Sequence, residues 1–143
     1  GFQSVGLDQL FDAGSRVYGA GPTLHLPIFD SQRLKAQYHG ATADLDAAVA
    51  RMRAVTATLW GTGDPDVTLA NAHVYLEAAG HVVVAWLWLE QALATGTADS
   101  DFHQGKRAAA RYFSRWELPK VAQQLELLAS VDTTTLDMQD AWF

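Results

Sequence analysis

Apolar or small residues fall at Leu34, Tyr38, Ala41, Leu45, Ala48, Met52, Val55 and Leu59, in alternating steps of four and three without a slip. That spacing puts all eight on one stripe of an α-helix. A helix over 31–60 follows. Asp30 or Ser31 is placed to accept from the unpaired N–H groups of its first turn, and Gly61-Thr62-Gly63 ends it. Gly40 within it costs ~1 kcal/mol relative to alanine, an amount that packing of the stripe outweighs. Ala41 and Ala48 allow close approach, so the stripe reads as a packing face in a helical bundle.

The most apolar stretch, Val67 to Ala94, is interrupted by Asn71, His73, Glu77, His81, Glu90 and Gln91 in every window of membrane-spanning length. A charge near a bilayer centre costs ~2.5–3.5 kcal/mol, so this segment is expected to be a central bundle helix over 65–95 and not a membrane span. Asp64 caps it, Pro65 takes the first helical position, and Gly96 follows its end. Two further helices are expected. One over 100–116 carries Phe102, Ala109, Tyr112, Phe113 and Trp116 on one side, and one over 118–130 carries Leu118, Val121, Ala122, Leu125 and Leu128. Pro119 lacks an N–H and crowds the preceding turn, which predicts a kink or break at Trp116 to Leu118. Thr133 to Met138 is long enough for one turn, and Trp142-Phe143 is expected to dock back on the bundle.

Residues 1–30 behave differently. Leu24, Leu26 and Ile28 alternate with Thr23, His25 and Pro27, the period of a half-exposed strand, and a lone strand has no partner within its own segment. The expectation is an extended arm. The fold class is therefore all-α, an antiparallel bundle of about four helices with an extended, strand-like N-terminal arm: 1–30 the arm, 31–143 the bundle. With 143 residues, 49% of them hydrophobic, one domain burying roughly two thirds of its unfolded surface is expected.

Charge and cysteine content narrow the function classes. The net charge is −6 and the ten basic residues are dispersed, which disfavours nucleic-acid binding. The absence of cysteine removes disulfides, thiolate metal sites and a cysteine nucleophile, and is neutral between compartments. Gly1 without a basic-then-apolar leader suggests a trimmed product.

One constellation has the composition for chemistry. His73, Glu77 and His81 are each four apart and so share a helix face, where imidazole and carboxylate could hold a metal. The two histidines are spread over ~12 Å of helix, too far for one ion to reach both easily. The alternative pairs Glu77 with Arg107 or Arg111 of the next helix and leaves both histidines hydrogen-bonded at the bundle rim. No Gly-x-Ser-x-Gly elbow occurs, and Gly19-Ala20-Gly21 and Gly61-Thr62-Gly63 lack the third glycine and the context of a phosphate cradle. Trp60, Trp86, Trp88, Trp116 and Trp142 suit a core better than a ligand pocket. Trp86 and Trp88 lie on different helix faces, so at least one of them is expected to meet a partner or a second layer.

Two resemblances add to this reading, one on each side of Arg51 to Ala54. Gly21-Pro22-Thr23-Leu24-His25-Leu26-Pro27-Ile28-Phe29-Asp30, with Arg33-Leu34 and the alanine-rich run Ala41 to Val49, resembles outer-membrane efflux factors of resistance-nodulation-division pumps. That resemblance implies a barrel strand and a tunnel helix. Leu59-Trp60-Gly61, Leu69-Ala70-Asn71-Ala72, Tyr75-Leu76-Glu77, Gly80-His81 to Trp86, Trp88-Leu89, Arg111-Tyr112-Phe113, Glu117-Leu118-Pro119 and Leu136-Asp137-Met138 resemble the C-terminal helical domain of long acyl-CoA dehydrogenases. On this reading the chain is a hybrid, with one helix carrying both parts across the junction.

The second resemblance implies a non-catalytic scaffold or association domain, because flavin and catalytic glutamate belong to the preceding domains of that family. No catalytic or cofactor-binding residue is assigned, and no metal ligand beyond the candidates His73, Glu77 and His81. No cofactor is expected on the chain itself, FAD being held elsewhere in the parent family. The expected partners are a second copy or the preceding dehydrogenase domains, with no nucleic acid, no membrane span and no acyl-CoA contact. A cytoplasmic location is what this resemblance implies. The alternatives are a fragment of an efflux assembly and a metal- or small-ligand-binding bundle.

Overall fold

The computed structural model describes residues 38–143. The first long helix, α1, spans His39–Gly61, a short turn α2 spans Pro65–Leu69, and α3 spans Ala72–Ala94. Then α4, Asp101–Tyr112, passes through a π turn, Phe113–Glu117, into α5, Lys120–Ala129; a single turn α6, Thr134–Asp137, and a 3₁₀ turn, Asp140–Trp142, follow. Among the described residues there is no strand, and the fold is all-α. The extended arm, the caps Asp30 and Ser31, and Leu34 lie outside the described residues.

Helix α1 runs through Arg51 to Ala54 without interruption. Its buried residues are Thr42, Leu45, Val49, Met52, Val55, Thr56 and Leu59. Four of these belong to the predicted stripe, whereas Ala41 and Ala48 are partly buried. Thr42, Val49 and Thr56 stand seven apart on one flank, which widens the stripe. A helix facing two neighbours needs that broader face, and α1 packs on both α3 and α5. The added hydroxyls are satisfied: Thr42 Oγ1 donates to the Tyr38 carbonyl at 2.8 Å, and Thr56 Oγ1 to the Met52 carbonyl at 2.8 Å, while lying 2.8 Å from Tyr75 Oη.

The segment expected as one helix over 65–95 is divided. Asp64 caps α2 by accepting from the Asp66 and Val67 amides. Asn71 then leaves helical geometry, at φ −117° and ψ 34°, and its buried side chain donates through Nδ2 to the Asp132 carbonyl at 2.8 Å. An asparagine amide offers the backbone a competing partner, and here it ties the break to the segment after α5. Thr135 Oγ1 reinforces the tie by donating to the Ala70 carbonyl at 3.2 Å.

Beyond the break, α3 buries Ala78, Val82, Ala85, Leu89 and Ala92, and Gly96 at φ +53° turns the chain out of it. Its contacts with α4 and the turn that follows run in opposite order along the chain: Gln91, near the end of α3, bonds Lys106, and His81, in the first half of α3, meets Glu117. The pair is antiparallel.

No break occurs at Trp116 to Leu118. Tyr112, Phe113, Leu118 and Pro119 all stay in the right-handed helical region, and the Leu118 amide donates to the Phe113 carbonyl five residues back at 2.9 Å. The expected disturbance takes the form of a π turn that absorbs the proline, and the chain passes from α4 into α5, together the α4–α5 rod, without leaving helical geometry. The core it completes is built on Leu45, Val55, Val82, Leu89, Val121, Leu125 and Leu128. After α5, Val131 is left-handed at φ +53°, one residue before the Asp132 carbonyl that Asn71 holds. Trp142 and Phe143 do not dock; Met138 and Gln139 are extended and lead them away, leaving both exposed.

Candidate functional site

The histidine and glutamate stripe of α3 does not converge. His73 and Glu77 are exposed, and His81 is half-buried. His81 Nδ1 lies 3.0 Å from the backbone carbonyl of Glu77, not from its carboxylate. Its Nε2 is 3.6 Å from Glu117 Oε2, an ion pair when the ring is protonated, and the ring lies against Phe113 with centroids 6.0 Å apart. Among the described residues no group of three or more His, Cys, Asp and Glu is placed to hold a metal ion.

The pairing of Glu77 with Arg107 is likewise corrected, because nearer acceptors take the guanidinium. Arg107 donates to Thr95 Oγ1 at 3.0 Å, to the Ala98 carbonyl at 2.8 Å and to Asp99 Oδ1 at 3.1 Å. It pins the α3–α4 connection instead. Nor does Glu77 form an ion pair with Arg111 among the described residues.

The charged partner missed by the sequence is Glu117. Its Oε2 accepts from Lys120 Nζ at 2.7 Å, and this hydrogen bond is the main reason its carboxyl titrates below the usual 4.5 while the Lys120 ammonium titrates above the usual 10.5. For the carboxyl, a lowered folded value means stability present above about pH 4.5 and lost as pH falls through the folded value. For the ammonium, stability is present below about pH 10.5 and lost as pH rises through the raised value. Lys120→Met is expected to move the Glu117 carboxyl back up toward 4.5 in a side-chain NMR titration. An unmoved titration would remove Lys120 as the cause.

Two surfaces remain. The first is aromatic and apolar. Trp86 packs against the core and donates through Nε1 to Glu90 at 3.3 Å, while Trp88 on another flank lies under Lys106, whose ammonium is 5.3 Å from its ring and 5.4 Å from that of Phe102. The face of α4 expected to turn inward is divided: Phe113 packs on the core, but Phe102, Tyr112 and Trp116 are exposed. Trp60, Trp116 and Trp142 are exposed too, against the expectation of a core role. On α3, Leu76, Val84 and Leu87 are exposed, spaced on the side away from the buried alanines.

The second surface is a groove between α1 and the α4–α5 rod. It holds two cavities of about 330 and 290 Å³, with Asp44 and Ser114 in the lining of both. No sequence signal singled it out, because its walls are brought together by packing.

The family model described as "Acetyl-CoA dehydrogenase C-terminal like" matches residues 28–139. No curated protein and no solved structure matches the chain. The match takes in Ile28-Phe29-Asp30 and passes through Arg51 to Ala54 along the same unbroken helix. Residues 28–53 thus need no second origin, and nothing in the comparisons supports an efflux-factor fragment or a hybrid. With the all-α rods placed as above and one match spanning both sides of the supposed junction, the chain belongs to the acetyl-CoA dehydrogenase C-terminal-like family.

Proposed function

We propose that this chain is a non-catalytic association domain of the acyl-CoA dehydrogenase type, and that a second copy packs against the outer face of α3 and α4. The observation that carries the proposal is the exposure of Leu76 (73%), Val84 (38%) and Leu87 (44%) on α3, and of Phe102 (68%), Tyr112 (58%) and Trp116 (67%) on α4. Large apolar and aromatic side chains left in water are the kind of surface that marks an interaction site. Gly80 lies among the exposed residues of α3, and the space where its side chain would stand is open, so a second helix can approach closely.

By length and composition α3 would also pass for a membrane span, against the expectation drawn from its polar residues, and only 22% of its most apolar window is buried in the fold. Its packing against α1, α4 and α5 favours the association reading. An isologous contact, the same patch on both copies, suits a face that carries large apolar side chains on both helices. In this reading the oxidation step and its FAD belong to other domains of the family, and the chain contacts neither acyl-CoA nor nucleic acid.

The non-catalytic half is tested by incubating the purified chain with FAD, acyl-CoA thioesters and an artificial electron acceptor. No acceptor reduction and no flavin co-eluting on gel filtration is the expected result. A flavin-coloured protein that reduces the acceptor would overturn it.

A further inference from the structure

We infer that the end of the bundle where α1, α2 and α6 meet docks a basic amphipathic helix of another protein, its apolar side on Trp60, Leu69, Leu136 and Met138 and its cations on the surrounding aspartates. Two hydrogen bonds bring the apolar residues to one place. Thr68 Oγ1 donates to the Leu59 carbonyl at 2.9 Å, and Thr135 Oγ1 to the Ala70 carbonyl at 3.2 Å. Each bonded residue is the chain neighbour of an apolar one, so Trp60, Leu69 and Leu136 share this end, and Met138 follows two residues on. Their exposures are 51, 61, 43 and 50%. Scattered singly, such side chains are ordinary; grouped, they mark an interaction site.

Charge selects the occupant. Residues 58–72 and 131–143, which build this end, carry Asp64, Asp66, Asp132, Asp137 and Asp140 and no lysine, arginine or histidine. None of these carboxylates is in an ion pair among the described residues, and the hydrogen bonds they accept come from backbone amides and threonine hydroxyls, which leave the negative charge in place. Lys106 and Arg107 lie at the opposite end, beside Gln91 and Thr95. An anionic lipid surface would be repelled here, with no lysine or arginine to hold its headgroups. A second copy presenting the same end would set one group of carboxylates against the other. Among the described residues there is no strand edge for an extended peptide to pair with, so recognition runs through side chains, and a helix offers apolar anchors at i, i+3 and i+4 with cations beside them. Leu87, on the face assigned to self-association, lies sixteen residues past Asn71, ~24 Å along α3, so the two contacts are separate.

Calorimetric titration of the whole chain with a synthetic leucine–lysine peptide of ~18 residues, apolar on one helical side and basic on the other, tests the surface. Saturable one-to-one binding is expected, weakened at least about tenfold in Leu69→Ser/Leu136→Ser by loss of the apolar anchors. Asp66→Asn/Asp137→Asn, in which an amide oxygen can still accept from Thr133, should weaken it about threefold or more by loss of charge. All four side chains are exposed, so the thermal melts of both variants should match the parent. A peptide of the same composition with leucines and lysines spread round the helix should bind more weakly, and Leu87→Glu should bind the amphipathic peptide as the parent does. Absence of binding, full affinity in either end variant, equal affinity for the reordered peptide or loss of affinity in Leu87→Glu would each overturn the assignment. So would phosphatidylglycerol vesicle binding, or self-association, that Leu69→Ser/Leu136→Ser abolishes.

Discussion

Leu125→Ala is expected to destabilise the domain by about 3 kcal/mol, within the ~2–5 kcal/mol range for emptying a fully buried leucine. Leu125 is 1% exposed and lies in the shared core of α1, α3 and α5, so the cavity opens where three helices meet and none can close it alone. Domains of this size have ~5–15 kcal/mol in total. A melt followed by circular dichroism should therefore fall by ~9–15 °C, at ~3–5 °C per kcal/mol for a chain of this length. The control sits two residues away: Leu127 is exposed, and Leu127→Ala should cost under about 1 kcal/mol. Equal losses at the two positions would mean that α5 does not present the face described.

Much of the fold was legible because helix periodicity is local. The run from Tyr38 to Leu59 located α1, and Asp64, Pro65 and Gly96 marked the ends around α2 and α3. What was not legible depends on neighbours. Thr42, Val49 and Thr56 are buried because α1 has two partners, a number the stripe does not encode. Asn71 breaks its helix by bonding to Asp132, sixty-one residues on. Pro119 signalled a disturbance, but whether a helix breaks or takes a π turn depends on the packing of Phe113 and Leu118, both drawn to the core.

The candidate site divides in the same way. His73, Glu77 and His81 share a helix face by spacing, yet His81 meets Glu117 of the neighbouring rod, which helical spacing within α3 cannot reveal. The apolar side of α4 was visible as a pattern, and its direction was not. Periodicity identifies a stripe without saying whether this chain or another covers it. The continuity of the family over 28–139 was hidden because its N-terminal part carries motifs that resemble another family.

The second large effect concerns that uncovered stripe. Leu76→Glu/Leu87→Glu is expected to convert a dimer at tens of micromolar into a monomer by light scattering, since it places two charges in each copy of an interface that would exclude water. Both positions are exposed, so the melting temperature at low concentration should stay near that of the parent. A loss of helicity would instead place these leucines in the fold of the single chain.

Cross-linking locates the contact most directly. The chain has no cysteine, so Val84→Cys introduces one thiol at the centre of the exposed α3 stripe. The association account predicts that a short bis-maleimide joins Val84→Cys copies efficiently, and that Glu126→Cys, on the exposed side of α5, stays single under the same conditions. Equal joining at both positions, or a Val84→Cys chain that remains monomeric and binds lipid vesicles or a flavoprotein domain through this face, would contradict it.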